Sequence, residues 1–115
     1  MTKIKDTVTA ISKFEEAAIK HAEATELGDY KTANKNYAII VKAVTFLKEQ
    51  GEMQKLFELL NHSSVGVRMW AATYLLPVSE SEGLRILKQI AKGTGIHSFT
   101  AKTTVNEWEK GNLKL

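Results

Sequence analysis

The stretch from Leu56 to Leu76 constrains the fold more than any other part of the chain. Leu56, Leu59 and Leu60 stand at i, i+3 and i+4, one face of a short helix. Asn61, His62, Ser63 and Ser64 interrupt the pattern and are too few for anything but a turn between antiparallel neighbours. Val67, Trp70, Ala71, Tyr74 and Leu75 then mark the face of a second helix. Pro77 stops that helix, because it has no N–H to donate and disfavours the helical conformation at Leu76. Such a hairpin leaves an apolar face on each side and needs neighbours to cover them.

Helical spacing accounts for the rest of the chain. Ile4, Val8, Ile11, Phe14, Ala18 and Ala22 predict a first helix that ends near Leu27, with Gly28 as its left-handed terminator. Asp29 is the expected N-cap of a second helix carrying Tyr30, Ala33, Tyr37, Ile40, Val41, Val44 and Leu47 as a wide buried stripe, closed by Gly51. After Pro77, Ser79 and Glu82 have capping-box spacing ahead of Leu84, Leu87 and Ile90, and Gly93 is the expected exit. A last helix from about Gly95 presents Ile96, Phe99, Ala101, Val105 and Trp108, and Gly111 ends it. Only a weak alternation over Ser98–Val105 competes with an all-α reading.

Two segments match as copies of one unit. Val67, Trp70, Ala72 and Leu76 correspond to Ile96, Phe99, Ala101 and Val105 at a constant offset of 29, and Leu56 and Leu59 to Leu84 and Leu87 at 28. A repeated helix pair is the signature of an α-solenoid, and the alanines suit close helix crossings. Trp70 and Phe99 are therefore expected in equivalent interior layers.

The stretch Leu59–Pro77, with Val67-Arg68 opening its second helix, resembles a HEAT repeat, although Asn61 and His62 stand near the place where such turns hold an Asp. Over nearly its full length the chain is also similar to a bacterial family, the domain-of-unknown-function family numbered two thousand and nineteen. The likeness lies in Gly28-Asp29-Tyr30 with Ala33-Asn34, Val67-Arg68 with Trp70-Ala71-Ala72, and Glu107-Trp108. The resemblance implies a short HEAT/ARM-like α-α superhelix of about six helices in antiparallel pairs, one domain over residues 1–115, and supplies no activity.

Chemistry finds little anchor in these residues. With no cysteine there is no disulfide, thiolate metal site or thiol nucleophile, which suits a cytoplasmic protein. His21, His62 and His97 have no metal-ligand spacing, no nucleophile elbow is present, and Gly93-Thr94-Gly95 lacks the partners of a phosphate loop. No catalytic residue, cofactor or metal is expected. The N-terminal 20 residues have no apolar core of a signal peptide, and no apolar run is long enough to span a membrane. The net charge of +3 is spread over mixed blocks, and Arg68 and Arg85 are its only arginines.

The reading that follows is a non-catalytic protein-interaction module, of immunity or regulatory type, acting on a bacterial partner through a curved helical surface. The second reading is a HEAT-like DNA-binding protein that uses a mildly basic face, with Lys31, Lys35 and Lys42 within a moderate arc of the second helix and Lys48 drifting away from it. Tyr30, Lys31, Asn34 and Lys35 form the most polar helix opening, and Arg68 sits where a helix dipole disfavours a cation; these five are the candidate interaction edge. Arg68 is expected to reach a nearby carboxylate or carbonyl. The residues leave the oligomeric state open.

Overall fold

The computed structural model describes residues 4–115, and all its regular structure is helical. Helices α1 (Thr7–Glu26) and α2 (Tyr30–Glu49) form the first pair. A 3-10 helix, Met53–Leu59, and α3 (Val65–Leu75) form the second, and α4 (Glu80–Ala91) and α5 (Ile96–Glu109) the third. Each pair is joined by a connection of a few residues, so its members run antiparallel. The six elements pack in chain order as a short helical superhelix.

Local chemistry sets most boundaries. The Asp6 carboxylate accepts from the Thr9 N–H at 2.7 Å, so α1 begins three residues after Ile4 rather than at it. Gly28 takes φ 74°, and the Asp29 carboxylate caps α2 through the Thr32 N–H and hydroxyl, both as expected. The expected capping box does not form: Ser79 starts α4 without a side-chain cap, and Glu82 pairs with Arg85 at 3.0 Å instead of reaching back. The residue with left-handed φ between α4 and α5 is Gly95, at 98°, and not Gly93.

The third element is a 3-10 helix for a geometric reason. Side chains three apart eclipse in that geometry, and Met53, Leu56 and Leu59 stand at that spacing. Leu56 and Leu59 are buried as expected, and Leu60 with them.

Helix α3 is the hub, touching α1, the 3-10 helix, α4 and α5. Two glycines let it come close. A Cβ on Gly66 would lie 2.6 Å from the Ala22 Cβ and 2.8 Å from the Ala18 carbonyl oxygen of α1. A Cβ on Gly83 of α4 would lie 2.7 Å from Leu76 and 2.8 Å from the Ala72 carbonyl oxygen. Around these crossings Phe14, Ile40, Leu47, Leu56, Val67, Leu75 and Leu87 form one continuous core.

The repeat correspondence holds for half of its positions. Ala72 and Ala101 are both fully buried, and Leu76 and Val105 both lie inside. Phe99, however, is 70% exposed, whereas Trp70 is half-buried, so the two do not occupy equivalent layers. The first helix pair covers Trp70 with His21 and Tyr37. Phe99 has no such cover: the pair that precedes its own unit, the 3-10 helix and α3, leaves the ring exposed. Val8 also faces outward, and the α2 stripe is narrower than its composition suggests, with Tyr30, Tyr37 and Val41 exposed.

Candidate interaction groove

The exposed side of α2 has a pattern of its own. At 100° per residue, Tyr30, Asn34, Tyr37 and Val41 fall within about 60° of one another. This edge borders α3, because the Tyr37 ring meets Trp70 at a centroid distance of 5.6 Å. Trp70 stacks on Tyr74 at 6.0 Å and takes the edge of His21, from α1, at 5.1 Å. Tyr37, Trp70 and Tyr74, with Thr100 and Thr104 of α5, line a cavity of about 240 Å³ that the segment Leu113–Leu115 also borders. The result is an aromatic groove across three helices.

Its polar atoms are few and distinctive. Trp70 Nε1 is buried and has no hydrogen-bond partner, alone in this among the side chains of the described residues. The Thr100 and Thr104 hydroxyls donate back into their own helix, to Ile96 O and Thr100 O, both at 2.9 Å. Burial, then the nearby charge of His97, pushes the His21 imidazole below its ordinary pKa. The Tyr74 phenol, 7% exposed, is pushed up to about 12 by burial, with the Tyr37 phenol contributing through its charge and a hydrogen bond. A spectrophotometric titration of native chain minus Tyr74→Phe should therefore isolate one phenolate with a midpoint near 12. A difference spectrum centred near 10 would contradict the burial of the Tyr74 phenol.

The other two histidines act as ties to α1. His62 Nδ1 accepts from the Ser64 N–H at 2.9 Å, so its proton sits on Nε2 and is donated to Glu15 at 2.6 Å. His97 Nε2 meets Glu26 at 2.7 Å, joining the start of α5 to the end of α1. Among the described residues no group of three or more His, Asp or Glu side chains is arranged to hold a metal ion.

The five residues expected at one edge are divided among three places. Tyr30 and Asn34 lie on the stripe that runs along the groove. Lys31 and Lys35 are rotated away by roughly 110°, and Lys35 lines the α1–α2 hollow with Lys13, Glu16 and Lys20. Arg68 serves its own turn, its Nη1 donating to His62 O at 2.7 Å and Ser63 O at 3.1 Å. The expectation that it seeks a carbonyl holds. Periodicity places Tyr37 in the core, and the shared face of Trp70 and Tyr74 fits either a core or a groove; their neighbours across the fold decide for the groove. One signal was available: Tyr30, Tyr37 and Val41 carry apolar character to the margin of the α2 stripe.

No protein-family model matches the sequence, and no curated protein matches it. Among solved structures the chain is similar to the crystal structure of the protein RPA1889 from Rhodopseudomonas palustris CGA009. The TM-score is 0.87 at 17% identity, and the match covers 98% of this chain and 99% of that one. At that identity the likeness establishes a shared fold and nothing about activity.

Proposed function

We propose that the chain is a non-catalytic, HEAT-like protein-interaction module that binds a protein partner in a bacterial cytoplasm through the aromatic groove. One observation carries the reading. Tyr30, Tyr37 and Val41 remain exposed in a row beside half-buried Trp70, although a core lies on the same helix. Aromatic side chains clustered at a partly covered groove are the residues that dominate the energetics of protein interfaces. The structural neighbour comes from a bacterium, and no helix among the described residues is long and apolar enough to cross a membrane.

The test is affinity capture from the host with the native chain and with Tyr37→Asp, followed by titration of the recovered partner. Tyr37 is 45% exposed, so the thermal melt of the variant serves as the folding control. A contact of this type contributes about 2 kcal/mol or more, so affinity should fall by about thirtyfold. A companion variant, Lys31→Glu with Lys35→Glu, should leave the partner bound. Failure to recover a saturable partner, or loss of binding with the lysine variant alone, would overturn the proposal.

A further inference from the structure

Beyond α5 the chain turns at Gly111 and continues as a segment without regular structure. The turn itself is well held: the Gly111 N–H donates to Trp108 O at 3.0 Å and the Asn112 N–H to Glu107 O at 2.9 Å. Asn112 Nδ2 adds a bond to the Glu107 carboxylate at 3.0 Å. Among the described residues no backbone hydrogen bond then holds Leu113, Lys114 or Leu115. Burial holds them instead, and it alternates. Leu113 and Leu115 are half-buried against the core while Lys114 between them is exposed, the period of an extended chain.

We propose that the aromatic groove is a receptor for an extended segment carrying aliphatic side chains two residues apart, and that Leu113-Lys114-Leu115 is the chain's own occupant of it. A partner segment of the same pattern binds by displacing this occupant. The inference rests on the reading of the groove as an interaction surface and names the chemistry of what it accepts. Three observations support it. The segment already lines the cavity together with Tyr37, Trp70 and Tyr74. With the segment in place about 240 Å³ stays open beside it, less than the roughly 300–1,000 Å³ of small-molecule sites and room for one or two side chains of an incoming chain. The polar atoms suit an extended backbone, whose N–H and C=O groups are unpaired. The Thr100 and Thr104 oxygens, having donated into the helix, keep lone pairs that can accept, and Trp70 Nε1 is a donor that the chain's own segment leaves without a partner, so an incoming backbone can pair where Leu113–Leu115 does not.

The experiment compares the full native chain with Leu113→Ser/Leu115→Ser. Each is titrated with an acetylated pentapeptide of the sequence Gly-Asn-Leu-Lys-Leu and followed by nitrogen-15 NMR at the Trp70 indole N–H and the Tyr37 amide. Leu113 also borders a second hollow with Glu80, Leu84 and Trp108, so a response at Trp70 rather than Trp108 locates the peptide in the groove. The dispersion of the spectrum confirms that the variant is folded. A segment seated nine-tenths of the time leaves a tenth of the molecules open, so the variant should bind the peptide about tenfold more tightly than the native chain. A peptide with both leucines replaced by serine should move neither resonance. Equal affinities, or a variant that does not bind the peptide at Trp70, would overturn the proposal. The two readings fail separately, because loss of a host partner on Tyr37→Asp alongside equal peptide affinities would remove the tail as occupant and leave the interaction surface standing.

Discussion

Replacing Gly66 with alanine should lower the unfolding free energy by about 2–3 kcal/mol, the upper part of the range for overpacking a tight interior. Helix propensity argues the other way, since alanine in a helix interior is worth about 1 kcal/mol more than glycine. Geometry decides between them. The new methyl would meet the Ala22 Cβ at 2.6 Å and the Ala18 carbonyl oxygen at 2.8 Å. One obstacle is backbone and the other a side chain with no rotamer to change, so neither can yield locally. Helix α1 must then move away from α3, and Val67, fully buried beside the crossing, loses packing with it. Urea unfolding measures the effect as a lower midpoint with an unchanged slope. A midpoint equal to or above that of the native chain would mean that the α1–α3 crossing is looser than described.

Phe14→Ala should cost about 3–5 kcal/mol, as is typical for truncating a fully enclosed aromatic side chain. Phe14 has no exposure and is among the largest side chains completely inside. A domain of this size is commonly stable by about 5–15 kcal/mol, so the variant would lie close to the edge of folding at ordinary temperature. Phe14→Leu, which keeps much of the volume, should cost distinctly less, and the pair separates a cavity effect from general intolerance of the site. Differential scanning calorimetry on both provides the measurement. A loss below about 1 kcal/mol for Phe14→Ala would place Phe14 outside the shared core.

The two substitutions differ in what made them visible. Phe14 is plain in the spacing of Ile11, Phe14 and Ala18, because one helical stripe says which side chains turn inward. Gly66 carries no such mark; two residues after the turn, it reads as an ordinary weak point in a helix. Only the approach of α1 shows that the missing side chain is what permits the contact. The same division runs through the groove. Tyr37 has the right phase for the α2 stripe, yet 45% of it remains exposed, because the stripe packs chiefly against α1 and Tyr37 lies at its margin, where only rings of α3 meet it. Phe99 shares its register with Trp70, but register fixes equivalence within a unit and says nothing about which neighbour covers it.

The sequence by itself determined the helices, their order and most of their ends, because periodicity, caps and the breaks at Gly28 and Pro77 act over a few residues of chain. It also determined that the hairpin ending in α3 needs neighbours on both sides, since neither of its apolar faces can cover itself. The tertiary structure alone decided where helices touch closely, that His62 and His97 tie the later helices to Glu15 and Glu26 of α1, and that Tyr37 meets Trp70 and Tyr74. Those partners lie 33 to 71 positions apart in the chain. Contacts across such separations depend on how helices cross, which is set by the side chains of both partners together and is therefore written in neither helix alone.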